Sequence, residues 1–85
     1  MKPKTFLTRR AADLIRWQFR FRNRVVTCGI TRLANNGFGV VTLPHWDIKS
    51  GVVETFNDAA SAAQRHAMIV DRLRSTGWSL ASYTT

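Results

Sequence analysis

Arginine offers more chemistry in this chain than any other residue type. Nine of the thirteen Lys and Arg lie within residues 1–32, where Asp13 is the only acid, so nine cations less one acid place the whole net charge of +8 there. In the remainder, Lys49, Arg65, Arg72 and Arg74 balance Asp47, Glu54, Asp58 and Asp71. Guanidinium groups hold phosphate or carboxylate oxygens by paired hydrogen bonds. Charge segregated to this degree repels itself unless a polyanion, an anionic membrane or an acidic partner faces it. The candidate binding residues are therefore Arg9, Arg10, Arg16, Arg20, Arg22, Arg24 and Arg32.

Trp46 joins them for a different reason. It lies in the polar segment between Pro44 and Gly51, where an indole either stacks on a base or partner or folds over the end of the core. Basic and aromatic residues also alternate from Ile15 to Arg22, but a period of two sends them to opposite faces of a strand. Trp17, Phe19 and Phe21 are thus core residues, and the arginines opposite them contact phosphates, which positions a ligand without reading its sequence.

Material for catalysis is sparse: two histidines, one cysteine and five carboxylates. His45 and Asp47 stand two apart, yet no third ligand or nucleophile accompanies them, so neither a metal site nor an enzyme is expected. His66 falls on an apolar helical stripe and reads as a core-edge residue. Gly37 and Gly39 belong to a hairpin, with no lysine and helix start after them, so no phosphate-binding loop is present. A lone Cys28 excludes an internal disulfide and a cysteine zinc cluster, and a reduced, buried thiol fits a cytoplasmic setting. No cofactor is implied.

The elements that position these residues follow from periodicity. Residues 1–8, with Pro3 and two lysines, read as a loose basic arm, and 9–85 as one small domain. Residues 9–14 are compatible with a helical turn or with the start of a strand. The alternation over 15–22 predicts a strand, with Arg16, Arg20 and Arg22 in a line about 20 Å long on one face. Asn23 marks a turn, and Val25–Leu33 is a second strand with Val26, Cys28 and Ile30 inward and Thr27, Gly29 and Thr31 outward. Asn35-Asn36-Gly37 predicts a tight type I′ hairpin leading to a third strand, Phe38–Leu43. A fourth spans Val52–Phe56.

A helix over 58–76 follows, capped by Asn57 or Asp58 and stopped at Gly77. Its apolar stripe includes Ala62, His66, Val70 and Leu73. Trp78–Tyr83 leaves room for a short fifth strand.

These elements define an α+β fold: a four-stranded antiparallel meander packed against one C-terminal helix. No apolar run is long enough for a membrane helix. The expected function is nucleic-acid binding through the arginine-bearing sheet face, with single-stranded or structured targets favoured. The one helix is basic only in its last turn, so it is a poor reader of the major groove. The alternative is an interaction or inhibitor module that docks on an acidic protein surface. A strand edge is also open to pairing with a second copy.

Overall fold

The computed structural model describes residues 12–84. Five strands form one antiparallel sheet in the order β4-β3-β2-β1-β5. They are β1 (Ala12–Phe21), β2 (Arg24–Arg32), β3 (Phe38–Pro44), β4 (Val52–Phe56) and β5 (Ser79–Thr84). One helix, α1 (Ala59–Ser75), covers one face of the sheet, and a 3-10 turn, Ile48–Ser50, lies between β3 and β4. The α+β meander is as the sequence predicts, and the tail after the helix returns as β5 against β1.

Alternation decides which residues meet the helix. Trp17 pairs with Cys28 and Phe19 with Val26 across β1 and β2, and Val40 pairs with Ile30 across β3. Phe19 and Cys28 pack on Val70, while Ile30 and Val40 pack on Ala62. Trp17, Phe21 and Leu73 close the periphery as half-buried residues. Asp58 caps α1 by accepting the Ser61 backbone N–H at 2.7 Å. That bond holds its carboxyl below the usual range. Gly77 takes φ 101°, a left-handed backbone that ends the helix at little cost to glycine.

Three expectations need correction. The hairpin at Asn35-Asn36-Gly37 is not a two-residue turn. Its loop runs from Leu33 to Gly37, with the Leu33 N–H bonded to the Gly37 carbonyl and Asn36 alone left-handed at φ 69°. Arg22 is not on the face of β1: the strand ends at Phe21, and Arg22 sits in the turn with φ 58°. Thr31 points away from the helix as predicted, yet it is only 1% exposed. Gly39 beside it has no side chain, and the methyls of Thr31, Val53 and Leu33 fill that space. Gly29 is buried as well. A Cβ there would fall on the Ile15 carbonyl oxygen of the neighbouring strand.

Candidate functional site

The sheet face away from α1 divides by strand. Its β5–β1–β2 half carries Arg16, Gln18, Arg20, Thr27 and Ser82, and its β3–β4 half carries Val41, Leu43 and Val53. This follows from the pairing of Gln18 with Thr27 and Ser82, and of Val41 with Gly29 and Val53. Arg16 and Arg20 are exposed and four residues apart, about 13 Å along the strand.

Between them a hydrogen-bonded row crosses the sheet. Ser82 Oγ donates to Gln18 Oε1 at 3.1 Å, and Gln18 Nε2 donates to Thr27 Oγ1 at 3.4 Å. Thr27 Oγ1 shares a 2.6 Å hydrogen bond with His45 Nε2. His45 reaches this row because its backbone N–H extends the β2–β3 pairing to the Val25 carbonyl. Its neighbour Asp47 turns instead to the Ser50 hydroxyl within the 3-10 turn. His45 and Asp47 thus serve different structures. Among the described residues, no three His, Cys, Asp or Glu side chains come together as a metal site would require.

The second part of the site lies round the β1–β2 turn. The Arg24 guanidinium sits 4.7 Å over the Trp46 ring. Trp46 stacks on Trp78 with centroids 6.0 Å apart and planes 19° apart. Trp78 meets Phe21 at 5.5 Å, and the Arg22 guanidinium lies 5.2 Å from the Phe21 centroid. The result is a ladder of aromatic rings with an arginine at each end. Trp46 remains 47% exposed, so it is both packed and presented. Sequence reasoning treated these two states as alternatives. Trp78 is the residue it missed, because only β5 pairing with β1 brings position 78 beside position 46.

Arg32 is not part of this surface. It lies at the far end of β2, about 27 Å along the strand from Arg24, with its guanidinium 5.3 Å from the Phe38 ring. Arg9 and Arg10 fall outside the described residues. Arg65, in the helix, is paired with Glu54 at 2.8 Å. Arg16, Arg20, Arg22 and Arg24 have no carboxylate within salt-bridge distance among the described residues.

His66 and Cys28 belong to the core. His66 is buried on α1, donates from Nε2 to the Cys28 carbonyl at 3.4 Å and meets Trp17 edge-on at 5.2 Å. Burial lowers its pKa, against the smaller opposing effect of that hydrogen bond. Burial also pushes the Cys28 thiol up to about 11, which makes it a poor nucleophile. Among the described residues, no helix is long and apolar enough to cross a membrane. Comparison with protein-family models, with curated proteins and with solved structures gives no match.

Proposed function

We propose that this chain is a nucleic-acid-binding protein rather than an enzyme, and that it takes its ligand on the β5–β1–β2 half of the open face and round the β1–β2 turn. One observation carries the reading: Arg16, Arg20, Arg22 and Arg24 lie on a single hairpin without carboxylate partners among the described residues, beside a half-exposed tryptophan. Exposed sheet arginines that only keep a protein soluble are normally interspersed with acids. Here the four guanidiniums would contact phosphates.

The row Ser82, Gln18, Thr27 and His45 adds donors and acceptors between Arg16 and Arg20. Trp46 adds a ring that can stack on an unpaired base, with Arg24 as a cation beside it. A single strand suits this surface best. An open sheet presents no protruding element for a major groove, and α1 is on the opposite face.

The direct check is the absorbance ratio at 260 and 280 nm of the protein purified at low salt, repeated after a high-salt wash. Co-purifying nucleic acid that salt removes supports the reading. A clean protein that instead captures an acidic protein partner replaces it with the interaction-module reading.

A further inference from the structure

The two edges of this sheet differ in a way that nucleic-acid binding does not explain. β5 mixes Ser79, Ser82 and Thr84 with an exposed Leu80 and Tyr83, and it carries a register shift against β1 between Gln18 and Phe19. Such irregularities discourage edge-to-edge pairing. β4 is short, and Glu54 is its one charged residue. Its sequence, Val-Val-Glu-Thr-Phe, contains no Lys, Arg or Pro and pairs with β3 without a bulge. Val52 is 52% exposed, Val53 36%, and Ile48 in the preceding turn 67%. Glu54 is already held by Arg65.

We infer that β4 is a self-association edge, at which a second copy of this chain pairs β4 antiparallel to β4 and joins two sheets into one of ten strands.

Charge favours this occupant and this edge. The groups around β4 are Asp47, Lys49, Glu54, Asp58 and Arg65, nearly balanced in a chain of +8. A second copy at β5 would place two arginine-bearing β1 strands three strand spacings apart, about 14 Å. At β4 the same strands lie seven spacings apart, about 34 Å. Screening decays over about 8 Å at physiological salt. Repulsion between the β1 strands is therefore already largely screened at β5 and negligible at β4, so charge tilts the choice toward β4.

Register follows from facing. Directly opposed residues must lie on the same side of the sheet, so the two-fold axis passes midway between a residue and its own copy. Centring it on Glu54 opposes two carboxylates, which is unfavourable. Centring it on Val53 opposes Val53 to its own copy and Val52 to Glu54 of the other copy. The axis is then perpendicular to the sheet, so both basic half-faces point the same way. Pairing of one short strand is a small interface, and a dimer in the micromolar range is expected.

Sedimentation velocity on nuclease-treated protein, from about 5 to 300 μM, tests this. The expected result is reversible dimerisation, abolished by Val53→Lys and unchanged by Leu80→Lys on β5. Mild oxidation of Val53→Cys should give a covalent dimer, and Ser82→Cys should not. Circular dichroism confirms that each variant folds. A monomer throughout, a dimer that survives Val53→Lys, or cross-linking by Ser82→Cys alone overturns the inference. Because nucleic acid is absent, none of these outcomes bears on the proposed binding face.

Discussion

One open sheet face holds two surfaces of opposite character. The β5–β1–β2 half carries Arg16 and Arg20 around a row of hydrogen-bonded side chains, whereas the β3–β4 half carries Val41, Leu43 and Val53. Both halves rest on the same helix-covered core, so stability does not require them to differ. In the basic half Arg16 and Arg20 have no carboxylate partner among the described residues, and an anionic ligand would relieve the self-repulsion this leaves. The neutral half leaves apolar groups exposed at an edge, where water is a poor neighbour. Under the two proposals above, the halves would meet different partners.

The largest effects should come from the shared core beneath the basic half. Phe19 is fully buried, so Phe19→Ala should cost roughly 3–5 kcal/mol by denaturant titration. Leu43→Ala, on the half-buried apolar half, should cost roughly 1–2 kcal/mol. Equal losses would mean that the two halves are supported alike. Loss of Trp46 should act on binding: Trp46→Ala is expected to weaken an oligonucleotide complex by roughly 1–3 kcal/mol with its salt dependence intact.

Protonation provides a smaller perturbation under the basic half. Burial lowers the His66 pKa below its unfolded value of 6.5, so the unfolded chain takes up a proton first. Stability is then complete above about pH 6.5 and declines as pH falls through that value toward the folded pKa. Melting temperatures measured from pH 7.5 to 5 should show this decline, and His66→Asn should flatten it. The Asp58 cap, whose pKa is lowered too, loses its contribution only in the lower carboxylate range.

The smallest stability effect belongs to Arg22. A left-handed φ of 58° is strained for arginine and free for glycine. Arg22→Gly should leave stability unchanged or raise it by up to about 1 kcal/mol, while weakening oligonucleotide binding. A variant that loses stability and keeps its affinity would assign Arg22 to the fold and not to the ligand.

Much of this was legible in the residues. The period of two from Ile15 to Phe21 defined β1 and its inward aromatics, and Asp58 and Gly77 bounded the helix. Local signals were less informative where long-range pairing decides the outcome. Arg22 continued the alternation by number, but the chain needed its turn there. Thr31 looked exposed by parity, yet it is buried, with its methyl packed in the space beside Gly39. The Trp46–Trp78 stack joins two segments that no local pattern relates, and the return of β5 to β1 creates it.

The central claim is that the arginines of the β1–β2 hairpin hold phosphates, and salt measures that count directly. With about four phosphates neutralised, log K for a labelled single-stranded oligonucleotide should fall with log salt at a slope near −3, against about −3.6 for a duplex. Replacing Arg16, Arg20 and Arg22 together by Ser should flatten the single-strand slope by roughly 2 units. It should also weaken all sequences about equally and leave the fold intact. No binding at about 50 mM salt, or a slope that the triple substitution does not change, would contradict the account.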